Sequence, residues 1–172
     1  MGKKTFIDSF SSAKEGTLQN GSKAIQEYTP AELAVCYGCG WNNPHGLHVK
    51  TYWDGEKGVT RFRPAPHHAA YPGTTYGGLL ASLVDCHTVG TVVAAAYQAE
   101  NRVPGSQPVI IYVTGNLNVT FQKPTPLEAE LELIARVNAV SGRKARAECI
   151  VKAQGEVCVT AEVIAIRVDP QT

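Results

Sequence analysis

A chain of 172 residues with 44% hydrophobic side chains is long enough for one domain with a sizeable core. Its net charge of +1 lacks the basic excess that nucleic acid demands, which excludes nucleic acid as a partner. No window reads as the roughly 18 uninterrupted apolar residues of a membrane span, and the basic start MGKKTFIDSF lacks the apolar run of a secretory signal. The expectation is a cytoplasmic protein without membrane contact.

Residues 1–34 read as an arm with a short helix, followed by one domain over 35–172. The arm is polar to about residue 28, and "YTPAELAVCYG" then carries a helix start, with Thr29 as N-cap, Pro30 at N1 and Glu32 at N3. "GCGWNNPHG" breaks that helix. "LHVKTYW" and "VTRFRP" alternate around the turn "DGEKG", which predicts a β-hairpin. From Tyr76 to about Ala99 there is no proline and apolar residues crowd every turn, so this helix is buried on most sides. Four more strand-like runs follow, "PVIIYVTGNLNVTFQ", "LEAELELIARVNAV", "KARAECIVKA" and "VCVTAEVIAIRV". The breaks "SGR" and "QGE" are hairpin-short, so the last strands run antiparallel. Two strands, one buried helix and four strands make an α+β fold, with an antiparallel sheet of five to six strands wrapped around the helix.

The five cysteines are expected as reduced thiols. Cys36 and Cys39 form one CxxC, but a structural zinc ion takes four ligands, and Cys86, Cys149 and Cys158 lie singly in apolar segments. No metal is expected. The histidines offer no metal spacing either; His87, two residues past Asp85, points away from it and reads as a packed or interface residue. There is no G-x-S-x-G elbow, Walker loop or G-x-G-x-x-G.

The stretch "YPGTTYGGLLASLVDCHT" concentrates the chemistry. Thr74 or Thr75 can cap the helix, and Gly77 and Gly78 occupy its first turn, where backbone N–H groups have no helical partner. Such a start suits a carbonyl oxygen gaining negative charge; the same glycines also suit close packing of helix on sheet. Gly78, Ser82, Asp85 and Thr88 or Val89 share one stripe. Asp85 there is either a general base or nucleophile, or a structural polar contact tied by Ser82 or nearby backbone. Gly77 and Asp85 are about 12 Å apart along a helix axis. If both serve one reaction, one of them comes from a second copy, which predicts a two-fold homodimer with sites at the interface. On the strand "IYVTGNLNVTFQ", Thr114, Asn116, Asn118 and Thr120 alternate to one side, and Gly115 is a candidate bulge.

Three blocks resemble the hotdog-fold acyl-CoA thioesterases of the PaaI-like, phenylacetate-pathway branch. "CYGCGWNNPHGL" is similar to that family's C-x-x-C-G-x-x-N-P-x-G-L opening. "HHAAYPGTTYGGLLASLVD" is similar to its H-x-G-x-P-G-x-x-H-G-G segment with an acid nine positions on. "VTGNLNVTFQKPTPL" resembles the following strand. The resemblance covers about residues 36–168 and implies the hotdog fold, a hydrolase activity on an acyl-CoA, no cofactor beyond the CoA carried by the substrate, and a homodimer or a dimer of dimers (homotetramer). It implies Asp85 as the catalytic carboxylate, Gly77 as the N–H that polarises the thioester carbonyl, and Thr114 as the residue that places water. It also implies His68 as the loop histidine; with Tyr76, and with Gly78 and Ser82 of the helix stripe, it completes the candidate substrate-binding residues. Two positions depart from the pattern. Tyr76 stands where most members have His; a phenol donates a hydrogen bond but forms no imidazolium. Ala70 stands where some members carry Asn or Gln. Two rivals stay open: a dehydratase pairing His67 or His68 with Asp85, and a non-catalytic acyl-CoA binder.

Overall fold

The computed structural model describes residues 6–8, 10 and 23–169. One 23-residue helix, α1 (Gly77–Ala99), lies on a six-stranded antiparallel sheet. The strands are β1 (Tyr52–Trp53), β2 (Gly58–Phe62), β3 (Ile111–Phe121), β4 (Leu131–Ser141), β5 (Lys144–Ala153) and β6 (Glu156–Val168). Their spatial order is β1-β2-β4-β5-β6-β3, so β3, the first strand after the helix, closes the far edge. This is the expected wrap of sheet on helix.

Period-two alternation decides which face meets the helix. Leu131, Leu133 and Ala135 on β4, Cys149 and Val151 on β5, and Val159, Ala161 and Val163 on β6 point inward. They enclose Leu79, Leu80, Leu83 and Val84 of α1, and Leu83 and Val84 are completely buried. Each such Leu or Val stabilises by about 1.5–3 kcal/mol relative to exposure. Toward the C-terminal half of α1 a second cluster takes over, with Val92, Ala94 and Tyr97 against Ile110, Tyr112, Ala145 and Ala165. The opposite sheet face is covered locally, where Phe10 packs on Ile134 and Ile150.

α1 meets the length and composition of a membrane span, with mean hydropathy 1.6 over 18 residues, contrary to the sequence expectation. Its burial accounts for that: 61% of the window is covered by this fold. His87 explains how a titratable group is tolerated there. It is fully buried, and its Nδ1 shares hydrogen bonds with the hydroxyls of Thr60 (2.8 Å) and Thr51 (3.1 Å). Burial pulls its pKa down to about 3, so the ring is neutral.

Three local expectations differ from the structure. Residues 30–34 form a tight turn, with Leu33 N–H on Pro30 O and Ala34 N–H on Ala31 O, and not a helix capped by Thr29. The helical turn in this region is the 3₁₀ segment Ile25–Tyr28, which is no loose arm: Ile25 enters the core, and the Gln26 amide is tied to Thr51. The N-cap of α1 is Tyr76 without a side-chain hydrogen bond, because the Thr75 hydroxyl donates to Pro126 O and Thr74 bridges to Pro126 through its backbone.

Candidate functional site

Asp85 and Thr114 meet. The Thr114 hydroxyl donates a hydrogen bond to Asp85 Oδ1, joining positions 29 residues apart. Asp85 is therefore neither tied by Ser82 nor by its own helix backbone. The Ser82 hydroxyl donates instead to Gly78 O at 2.9 Å, a back-bond within α1.

A bulge places Thr114. The β3–β6 register shifts between Thr114 and Asn116, so Gly115 is an extra residue. Thr114 then pairs with Ala165, which is buried under the helix, whereas Asn116, Asn118 and Thr120 pair with Ile164, Glu162 and Thr160. The predicted single polar row is thus split: its last three members turn to the outer face, and Thr114 alone turns toward α1.

The half-buried stripe of α1 runs Ser82, Asp85, Val89, Val93, and fully buried Thr88 is not part of it. That stripe borders a cavity of about 550 Å³. Asp85 and Thr114 mark one part of its lining; Val89, Val93, Ile111 and Val113 give it apolar walls. A volume in this range, apolar with few polar groups, is the usual form of a small-molecule site. The apolar wall went unread in the sequence, although its i, i+4 spacing from Asp85 through Val89 to Val93 was a signal for it.

The helix start lies at the other end. Tyr76 N–H is used by His68 O at 2.8 Å and Leu80 N–H by Tyr76 O. The first-turn amides of Gly77, Gly78 and Leu79 have no helical acceptor by position. The Tyr76 ring folds back over Gly78, where a Cβ would overlap it, and the Phe121 ring lies over Gly77. His68 belongs to the 3₁₀ turn Pro66–His68. Its Nδ1 accepts from Ala65 N–H at 2.9 Å and its ring packs near Phe62, so only Nε2 is left for a ligand. Desolvation and neighbouring His67 lower the pKa of His68. Gly77 and Asp85 of one chain remain about 12 Å apart along the axis.

The basic residues Arg61, Arg63 and Lys123 are engaged. Arg61 faces Glu130 and Glu132, Lys123 pairs with Glu156, and Arg63 donates to Glu128 O. Cys86 lies beside Cys36 and Cys39, which the sequence kept apart. Contact with Cys86, then the backbone N–H groups of Cys39 and Gly38, acidify the Cys36 thiol to about 5 against its partial burial.

A helix wrapped by this sheet order, with an acid hydrogen-bonded to a hydroxyl at the lining of an apolar cavity, defines a hotdog-type fold. The sequence model of the Thioesterase superfamily matches residues 72–164, and the chain belongs to that superfamily. A thioesterase superfamily protein from Shewanella loihica PV-4 is 35% identical, with TM-score 0.58, over 73% of this chain and 96% of that one. The mouse acyl-coenzyme A thioesterase THEM4 is 28% identical over 115 residues, 66% of this chain and 44% of the relative. The chain thus spans less than half the length of the curated relatives it matches. The Escherichia coli PaaI protein of the phenylacetic acid degradation operon shares the fold at TM-score 0.58, with 14% identity over 71% of this chain and 80% of that one.

Proposed function

We propose that the protein hydrolyses an acyl-CoA to the free acid and CoA, at a site completed by a second copy of the chain. The observation that carries this reading is the Thr114–Asp85 hydrogen bond at the apolar cavity. The Thr114 hydroxyl spends its one proton on Oδ1, so it offers only lone pairs to water. A water there donates one hydrogen to Thr114 and the other to the free Oδ2 of Asp85, with its own lone pair aimed outward. Asp85 then takes the proton as water attacks the thioester, or attacks the carbonyl itself. The carbonyl oxygen is held by Gly77 N–H of the other copy, and CoA leaves as the thiol after protonation.

The 12 Å separation within one chain supports sharing between copies. So does the surface: β3 is an edge strand of 11 residues, and Val113 (48% exposed), Phe121 (53%) and Tyr76 (57%) stand open along it and beside the helix start. A long edge strand with exposed apolar side chains near both ends calls for a partner. His68, Tyr76, Gly78 and Ser82 surround the helix start where the thioester enters in this reading.

The test is thiol release over a panel of acyl-CoAs, run with Asp85→Asn. The expected result is a folded variant that has lost most turnover; an Asn variant as active as the native chain overturns the assignment. Hydration of a 2-enoyl-CoA in place of thiol release would favour the dehydratase, and ligand protection without turnover the binder. Sedimentation measured beside activity tests the shared site, since a fully active monomer rules it out.

A further inference from the structure

Among the described residues, three thiols converge outside the Asp85–Thr114 pair. Cys36 precedes and Cys39 ends the turn at Tyr37–Cys39, and Cys86 lies on α1 one residue after Asp85. Cys36 Sγ and Cys86 Sγ are 3.8 Å apart, and all three sulfurs lie within 4.8 Å of one another. None is in a disulfide.

The turn is shaped for this meeting. A Cβ at Gly38 would overlap Cys86 Sγ, so only glycine leaves room for that sulfur inside the turn. A Cβ at Gly40 would lie 2.5 Å from Ala34 O and Cys36 N, and Gly40 N–H closes the turn on Cys36 O at 2.8 Å.

We propose that Cys36, Cys39 and Cys86 form a zinc site with an open fourth position. Zinc–sulfur bonds of about 2.3 Å at tetrahedral angles place sulfurs ~3.8 Å apart, the separation seen for Cys36 and Cys86. Cys39 Sγ, within 4.8 Å of the other two, supplies the third ligand. Three thiolates select a thiophilic ion over magnesium or calcium. All three cysteines line the same cavity as Asp85 and Thr114, so the fourth position opens into it and takes a solvent molecule. Zinc binding here holds all three sulfurs as thiolates, releases to solvent whatever thiol protons remain, and involves no change of oxidation state. The sequence expectation of no metal rested on counting two ligands; the fold supplies the third.

The test uses the full chain purified under reducing conditions without a metal-affinity step. It measures zinc per chain by elemental analysis, zinc affinity by competition with a chromophoric chelator, and the sulfur-to-metal charge-transfer absorption after cobalt loading. The expected result is about one zinc per chain, a thiolate-type cobalt spectrum, and at least 100-fold weaker binding in Cys86→Ser. Circular dichroism checks folding; if Cys86→Ser does not fold, Cys36→Ser on the exposed turn replaces it with the same expected loss. Cys158→Ser, distant in sequence and buried in the sheet, keeps native affinity. Less than a tenth of a zinc per chain at stoichiometric zinc overturns the proposal. So does a folded cysteine-cluster variant binding within twofold of native, or a disulfide among these three residues in the reduced preparation.

Discussion

Thr114→Val isolates what the β3 bulge accomplishes. Valine keeps the volume and β-branching of threonine but removes the proton held by Asp85 Oδ1. A hydrogen bond to a charged group contributes about 1.5–3 kcal/mol, and each 1.36 kcal/mol of barrier is tenfold in rate, giving roughly 10- to 150-fold on kcat. Thr114 is exposed in the single chain, so water replaces part of the lost bond and the low end, about tenfold, is expected. The fall belongs in kcat, with KM little changed, because the hydroxyl acts on the carboxylate and not on the acyl chain. Thr114→Ser restores the proton and most of the rate. Stability should move by less than about 0.5 kcal/mol, as for other exposed substitutions. Steady-state thiol release on the best acyl-CoA, with thermal unfolding of the same samples, measures both. A Val variant within twofold of native kcat, or a Ser variant no better than Val, would refute the reasoning.

Other perturbations probe the frame. Leu83→Ala, at a fully buried position between helix and sheet, should cost about 2–5 kcal/mol in urea unfolding; a loss under 1 kcal/mol would contradict α1 as the core element. Gly78→Ala adds a Cβ where the Tyr76 ring rests, yet gains up to about 1 kcal/mol of helix propensity. The melting temperature should therefore hold while KM for acyl-CoA rises, and an unchanged KM removes Tyr76 and Gly78 from substrate binding. Burial pushes the Cys149 thiol up to about 12, so alkylation of the native chain at neutral pH should spare it until denaturant is added. Peptide mass spectrometry showing early Cys149 labelling would mean that the sheet opens.

The strand and helix pattern was legible because it is local. An apolar run without proline from Tyr76 to Ala99 and four alternating runs after it dictate their own periods, whatever they later touch. Asp85 on the helix and the glycines at its start were likewise legible, as was the 12 Å between them. What sequence could not supply are the contacts made by closure of the sheet. One extra residue, Gly115, turns Thr114 from the outer row to the helix face, and only the β3–β6 pairing shows it. Cys86 reaches Cys36 across 50 positions because the 36–40 turn folds against α1. Thr75 gives up its expected cap because Pro126 offers its hydroxyl a carbonyl. Periodicity arises from covalent neighbours and is written in order along the chain; a side chain's partner is chosen by which surfaces the folded layers press together, and that is settled only in three dimensions.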